Sequence, residues 1–336
     1  MTSDIQQLPT LPQTEIFKNL DVIDVLSFAL ASKKNALIVR TAAVLRTLVV
    51  DVTIASEVNR SSITLYNKIN DQFHLILRWG MIEARNTRNE VEVHMYDKVI
   101  CLQKRRGVVD LRSNNLCLPR RVRQKETHIQ TAVSFLAFIF PRIAFRELMI
   151  NTHAFASSMD ALNYAKCLES VTRTEILSIK PDVRGTAYKV RSLLTHLEVT
   201  NSVDIEEEDI PALLGYRFTG SGKLHLADGR FMDNSSLVSM NCVEIIITKT
   251  RFTTNDFLQF LNTWKGSNEA LRRIKFVKIG HPRGVRKVYG DVGAVKWDPS
   301  RRPSGDFEFG MDIFKPDGLV GTIEQFDDFF MFKVWH

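Results

Sequence analysis

The sequence predicts an α/β protein in which a small helical module at the N-terminus precedes a larger domain of helix–strand repeats. Three patterns support this prediction. Apolar residues recur at helical spacing up to Leu48, apolar and polar residues alternate over 63–97, and helical and strand-like stretches follow one another from about residue 130. The expected regions are residues 1–50 (helical module), 51–129 (strand-rich, with a basic loop) and 130–336 (helix–strand repeats).

The composition is that of a globular protein rather than a disordered one, since 44% of the 336 residues are hydrophobic and 25% are charged. The longest apolar run, Ala132 to Phe140, is shorter than the roughly 18–20 residues that span a bilayer. No basic stretch precedes an apolar core at the N-terminus, so no secretory signal is expected. We therefore expect an intracellular protein of the cytoplasm or nucleus, without a membrane segment.

The cysteines and histidines lack the spacing of metal or redox sites. Cys101, Cys117, Cys167 and Cys242 lie far apart without a C-x-x-C, and no H-E-x-x-H occurs among the histidines. We therefore expect reduced thiols that are mostly buried. No metal and no cofactor is expected.

The N-terminal module is predicted to contain three short helices. Pro12 suits a first turn, and Ile16, Phe17 and Leu20 then form one apolar stripe. Asp21 can cap a second helix, whose apolar positions are Val22, Val25, Leu26, Ala29 and Leu30. A third helix is predicted from about Lys34 to Leu48. Helices this short bury only part of their apolar surface, so the rest faces either this chain's own core or another protein.

The same stretch resembles an F-box. The family pattern opens on Leu-Pro, has an Ile-Leu pair seven residues after the Pro, and ends a Leu-rich helix with Ser-Lys or Cys-Lys. The matching positions over roughly residues 5–47 are Leu8-Pro9, Ile16-Phe17, Leu20, Asp21, Asp24, Val25-Leu26 and Ser32-Lys33-Lys34. Phe17 replaces the Leu of the pair, and Val25 stands where Leu is commoner.

The resemblance implies that these helices dock on a Skp-type adaptor, which links them to a cullin and a ubiquitin-charged enzyme. The residues that it implies for adaptor binding, by direct contact or by shaping the contact surface, are Leu8, Pro9, Ile16, Phe17, Leu20, Val25 and Leu26. Some of them are alternatively core residues of the module itself.

Beyond the module, residues 63–69, 73–79 and 91–97 alternate as strands do. The segment 104–125 then carries eight Lys or Arg and one acidic residue. We interpret it as a solvated loop or partner-facing surface. The alternative is a nuclear-localisation or nucleic-acid patch, which the absence of interleaved aromatic residues disfavours.

From about residue 130, helical stretches precede short strands at irregular intervals. Such units give parallel strands joined by crossover helices. The rhythm predicts a curved solenoid similar to the leucine-rich-repeat horseshoe. The predicted strands of this region begin near residues 143, 174, 197, 242 and 271.

The segment 253–279 predicts a helix with a core anchor at Trp264, an end at Gly266 and Asn268 in the following turn. It resembles the F-box-associated domain of the nematode type (type 2), which has a similarly placed Trp, Gly and Asn. The C-terminal strand–turn–strand of that family corresponds to 311–325, with Asp317-Gly318 as the turn. The basic insert 283–302 departs from the family, and we interpret it as a mobile loop without an assigned role.

Enzyme motifs are not matched. In TGSGK, Leu224 follows Lys223 where a phosphate loop needs Ser or Thr, and the acidic run 204–209 lacks the spacing of a calcium loop. We expect no catalytic residue. The expected function is a non-catalytic substrate-recognition subunit of a ubiquitin ligase that binds an unknown target protein. The alternatives are an interaction scaffold without a ligase and, less favoured, a basic nucleic-acid-binding protein.

Overall fold

A computed structural model describes fourteen stretches of the chain, which contacts divide into two compact units, residues 1–175 and 176–336. Each unit combines an open β-sheet with a few helices, so the chain is a mixed α/β protein. The described residues are 7–42, 48–54, 62–82, 90–95, 98–104, 110–114, 124–151, 171–180, 197–206, 222–266, 269–298, 300, 307 and 309–335.

The first unit opens with helices α1 (Thr10–Asn19), α2 (Val22–Leu30) and α3 (Lys33–Ala42). Asp21 occupies the N-cap of α2 in an extended conformation. The Ser32 hydroxyl accepts a hydrogen bond from the Asn35 backbone N–H at 3.1 Å, which caps α3. Asn35 Nδ2 donates to the Phe28 carbonyl at 3.0 Å and so ties α3 to α2. The predicted extension of the third helix to Leu48 is wrong, because Leu48 begins a strand.

Among the described residues of the first unit, seven strands form a sheet in the order β7-β1-β2-β3-β6-β5-β4. The pairs β1–β7 and β3–β6 are parallel and the others are antiparallel. Part of the basic segment that we predicted as a loop is strand β6, and residues 105–109 and 115–123 of it lie outside the described part. The elements are β1 (Leu48–Ile54), β2 (Ser62–Ile69), β3 (Gln72–Ile82), β4 (Glu90–Met95), β5 (Lys98–Lys104), β6 (Asp110–Asn114), α4 (Gln124–Ile139) and β7 (Ala144–Asn151).

An ion pair links the two parallel strands β1 and β7. Arg146 donates from Nε to Asp51 Oδ1 at 2.9 Å and makes a second bond to Oδ2. The bond to Asp51 raises the pKa of Arg146, and the guanidinium lies 4.5 Å from the centre of the Phe73 ring. The two residues are 95 positions apart, so this tie follows from the strand pairing and from no local motif.

The second unit contains a mixed sheet in the order β13-β14-β15-β16-β12-β11-β10-β9. Strand β8 lies next to β9, and the boundary between the two units falls within β8. The elements are β8 (Arg173–Lys180), β9 (Glu198–Ile205), β10 (Lys223–Leu226), α5 (Asn234–Val238), β11 (Glu244–Ile247), α6 (Thr254–Lys265), β12 (Phe276–Gly280), β13 (Val295–Lys296), β14 (Met311–Phe314), β15 (Val320–Gln325) and β16 (Phe329–Trp335).

The predicted solenoid is not confirmed. Strands β9 to β12 do run parallel in chain order, as a repeat requires. The strands β13 to β16 pair antiparallel, and β16 returns to lie beside β12. Short turns join β14 to β15 and β15 to β16 and so make these neighbours antiparallel, since a parallel neighbour needs a long crossover. One such turn is the predicted Asp317-Gly318, where Gly318 adopts a φ of 88° that favours glycine.

Helix α6 packs its aromatic face on the C-terminal strand. Phe257 stacks on Phe330 with ring centres 4.5 Å apart, and Trp264 meets Phe332 edge-on at 4.9 Å. Phe260 lies between them and contacts both of these strand residues. All five rings are buried, so this cluster is the centre of the second unit's core.

Replacing Phe260 with Ala removes a fully buried ring from this cluster. We expect the variant to lose about 3–5 kcal/mol of unfolding free energy in urea denaturation, because a cavity remains in a packed core. Phe309→Ala is the matched control, since that ring is 90% exposed and its loss should change stability by less than about 0.5 kcal/mol. Equal losses in the two variants would contradict the described core.

Candidate protein-recognition face

The sheet of the second unit presents apolar side chains to α6 and mixed side chains on its other side, here called the outer face. Alternation along each strand creates the difference: Leu224 and Ile245 are buried, whereas Lys223 and Glu244 beside them are not. The register aligns outer-face residues in two rows. One row is Ser202, Lys223, Glu244, Phe276, Lys333 and Thr322, and the other is Asp204, His225, Ile246, Lys278, Met331 and Glu324.

The charges of the outer face are mixed in sign. Lys223 Nζ lies 2.8 Å from Glu244 Oε2 on the next strand, and His225 Nδ1 lies 3.0 Å from Asp204 Oδ1. These pairs are partly exposed and contribute little stability. Their consequence is electrostatic, because a carboxylate beside Lys223 and another beside His225 oppose a purely positive field at these positions, which a nucleic-acid backbone would favour.

A groove of about 950 Å³ adjoins the outer face where β16 begins. The rings of Phe326 and Phe329 stack with centres 4.3 Å apart, and Lys278 Nζ lies 5.1 Å from the centre of Phe329. Phe309 at the rim is 90% exposed and Phe326 is 41% exposed. The charged groups of the lining are Arg283, Lys287, Glu324, Asp327 and Asp328.

One wall of the groove is the described part of the basic insert, residues 283–298, which hydrogen bonds attach to the rest of the unit. Gln325 Oε1 accepts from the Val288 backbone N–H at 3.2 Å, and its Nε2 donates to the Arg286 carbonyl at 3.3 Å. The Gln325 N–H donates to the Tyr289 hydroxyl at 2.8 Å. Val288 is buried, and Lys265 Nζ donates a hydrogen bond to the Val292 carbonyl of the insert. Both contacts attach the insert to the rest of the unit.

The N-terminal helices present some of the predicted adaptor-binding residues and enclose others. Leu8 and Pro9 are exposed, and Ile16 and Leu20 are half-buried. The side chains of Phe17, Val25 and Leu26 are buried, with Phe17 packed on Phe28 at 5.3 Å. Those three therefore hold the helices together, and the accessible apolar surface includes two residues outside the F-box-like pattern, Leu11 (78% exposed) and Leu37 (54% exposed).

The predicted motif around Trp264 lies in the core rather than in the groove. Trp264 is 1% exposed, and Lys315 Nζ lies 5.0 Å from the centre of its ring. Gly266 is the C-cap of α6, and its N–H donates to the Asn262 carbonyl at 2.9 Å. Asn268 lies outside the described residues. The start of α6 carries a capping box between Thr253 and Asp256.

Sequence reasoning missed the groove residues Phe309, Phe326 and Phe329. The available signal was the QFDDFF stretch, in which two Asp residues between aromatic ones mark a tight turn with rings on either side. The spacing in the sequence could not show that this turn lies near the basic insert. The two segments meet because β12 and β16 pair antiparallel, which brings residues 280 and 329 side by side.

Within the described stretches, no group of three or more His, Cys, Asp or Glu side chains could hold a metal ion. None of the helices there is long and apolar enough to cross a membrane. The Cys242 thiol is buried, and burial raises its pKa to about 11. Its thiolate is therefore scarce at neutral pH, which makes it a poor nucleophile.

Comparison with protein families identifies one part of the chain. Residues 222–276 match the family described as F-box associated. The matched stretch runs from just before β10 to the first residue of β12, and so includes α6 and its aromatic face. No F-box model matched the N-terminal helices. Neither the curated proteins nor the solved structures gave a match.

The anchoring of the insert by Gln325 predicts its exchange behaviour. In Gln325→Leu, amide hydrogens of residues 285–292 should exchange at least about tenfold faster, because the side chain's two bonds to this segment are lost. Hydrogen–deuterium exchange with mass spectrometry measures this effect. Gln259→Leu on α6 is the control and should leave the segment unchanged. Fast exchange of the segment in the wild-type protein would contradict the anchoring.

The raised pKa of Cys242 predicts slow alkylation. In the unfolded chain the thiol should titrate near 8.5, whereas the folded value is about 11. At pH 9, iodoacetamide should therefore modify Cys242 at least about seventyfold more slowly in the folded protein than in urea, as mass spectrometry of its peptide would show. Because the folded pKa is raised, the thiol's contribution to stability is lost as the pH rises from about 8.5 to 11. Equal alkylation rates would rule out the described burial.

Proposed function

We propose that this chain is the substrate-recognition subunit of a Skp–cullin–F-box type ubiquitin ligase. The observation that supports the proposal most directly is the match of residues 222–276 to the F-box-associated family. In this proposal, the three N-terminal helices dock on a Skp-type adaptor, and the second unit binds the target protein. A repeat of the leucine-rich kind is proposed only for the parallel strands β9 to β12.

The proposed mechanism is proximity and requires no catalytic residue in this chain. The second unit would hold the target, and the first unit would hold the adaptor–cullin complex. A target lysine would thereby lie near a ubiquitin-charged enzyme. The effective concentration of the lysine rises because the encounter becomes intramolecular. The proposal places the protein inside the cell, in the cytoplasm or nucleus, and involves no cofactor and no nucleic acid.

The helical module offers a suitable apolar surface for the adaptor. Leu8 and Pro9 precede α1, and Leu11 lies in its first turn; all three are exposed. A contiguous exposed apolar patch is typical of an interaction surface. Phe17, Val25 and Leu26 would act indirectly, by fixing the angle between the helices beneath that surface.

A second candidate function is an interaction protein that recruits no ligase. The burial of Phe17, Val25 and Leu26 within the chain favours it, because these residues then serve the module's own core. The lack of an F-box match also favours this alternative. Under this alternative the second unit still binds a partner, whereas no Skp-type adaptor associates with the first.

Binding to a purified Skp-type adaptor separates the two candidates. Leu8→Asp combined with Leu11→Asp should weaken binding at least about tenfold, since charges replace exposed apolar contacts at the proposed interface. Leu75→Asp, at an exposed Leu of β3 in the same unit, is the matched control and should bind like the wild type. Circular dichroism verifies that all three proteins are folded. A folded wild-type chain that fails to bind the adaptor contradicts the ligase proposal.

A further inference from the structure

We propose that the groove between the basic insert and the β15–β16 turn binds a short extended segment of the target protein. The segment would carry an apolar or aromatic side chain flanked by an acidic residue on one side and a basic residue on the other. This inference rests on the proposed function, because it names the kind of target segment that the second unit recognises.

The size of the groove suits a short peptide segment. Its volume of about 950 Å³ lies at the upper end of the range of about 300–1,000 Å³ that is typical of ligand pockets. A folded domain cannot enter such a space, whereas several residues of an extended chain can. The lining comes from the basic insert, from the start of β14 and from the β15–β16 turn, all within the second unit.

Exposed aromatic rings provide the anchor site for an apolar side chain. Phe326 is 41% exposed although it stacks on Phe329, and Phe309 is 90% exposed at the rim. Elsewhere in the second unit the aromatic rings of α6 and β16 are mostly enclosed in the core. A side chain inserted between Phe309 and the stacked pair would remove these rings from water, which is the usual source of affinity at such anchors.

The charges around the groove specify what flanks the anchor. Arg283 and Lys287 stand on the insert and Asp327 and Asp328 in the turn, and none of these four side chains has an ion-pair or hydrogen-bond partner among the described residues. A polyanion or a phosphate would meet the two carboxylates, and a polycation would meet the two basic groups. A segment with one charge of each sign can place its acidic residue beside Arg283 and Lys287 and its basic residue beside Asp327 and Asp328.

Both walls are held in place before any ligand arrives. The His281 N–H donates to the Asp328 carbonyl at 2.8 Å, and the Phe326 N–H donates to the Phe329 carbonyl at 2.9 Å, which fixes the turn. Gln325 and Tyr289 fasten the insert to the end of β15. A preformed groove lowers the entropy loss on binding, so a short segment can bind measurably without a large interface.

Selection from a displayed library of random 12-residue peptides on the full-length chain tests the proposal. We expect enriched peptides with an apolar or aromatic residue between an acidic and a basic one. Phe326→Ser should weaken their binding at least about tenfold, whereas Phe314→Ser, at a similarly exposed ring (36%) outside the groove, should not. Circular dichroism confirms that both variants are folded.

Charge reversal supplies a readout that a structural role would not produce. In the double variant Arg283→Glu with Lys287→Glu, the acidic flank of the enriched peptides should change to a basic one while the apolar anchor stays. No enrichment above background, or enrichment that is insensitive to Phe326→Ser, overturns the proposal. So does a doubled mass in light scattering that Phe326→Ser abolishes, because the groove would then hold a second copy of the chain.

The adaptor-binding measurement keeps the two proposals apart. Phe326→Ser should bind the Skp-type adaptor like the wild type, because the substitution lies in the second unit. If peptides are enriched but the adaptor does not bind, only the ligase proposal is contradicted, and the protein still has a peptide-binding groove. Adaptor binding without peptide enrichment overturns the groove proposal and leaves the ligase proposal in place.

Discussion

The second unit depends on the contact between one helix and one strand. Four apolar residues of α6, Phe257, Phe260, Leu261 and Trp264, fall at helical spacing and are all buried against the sheet. Gly321 on β15 makes room for the contact, since a Cβ there would lie 2.5 Å from the Phe332 ring. Because β16 sits between the parallel strands and the C-terminal hairpins, this contact fixes both halves of the sheet.

In the described part of the second unit, α6 covers one side of the sheet, and the outer face lies on the other side. The outer face is exposed at Lys223, half-buried at His225 and buried at Thr322 and Glu324. Its mixed charges and apolar side chains suit a protein partner more than a single-signed polymer. The groove continues this face at the start of β16, where stacked Phe326 and Phe329 stand beside charges of both signs. The same strand therefore supplies the core on one side and the proposed binding surface on the other.

Local features of the structure were predictable, and the long-range ones were not. The strands at 62–69 and 72–82 follow from alternation, and α6 with its Trp264 anchor follows from helical spacing. The solenoid prediction extrapolated the parallel rhythm of β9–β12 past residue 280, where the remaining strands pair antiparallel. The groove escaped prediction for the same reason, since pairing of residues 280 and 329 joins distant segments. The exposure of Leu11, away from the apolar stripe of α1, was not predictable either, because it depends on how the three helices pack.

Two parts of the chain have separate proposed tasks: residues 7–42 would engage an adaptor, and the groove of the second unit would engage a target. Amide hydrogen exchange of the full-length protein, with and without saturating Skp-type adaptor, tests this division most directly. We expect the adaptor to slow exchange within residues 7–42 and to leave exchange over 283–298 and 309–329 unchanged. Protection of the groove segments by the adaptor, or no protection of the N-terminal helices, would contradict it.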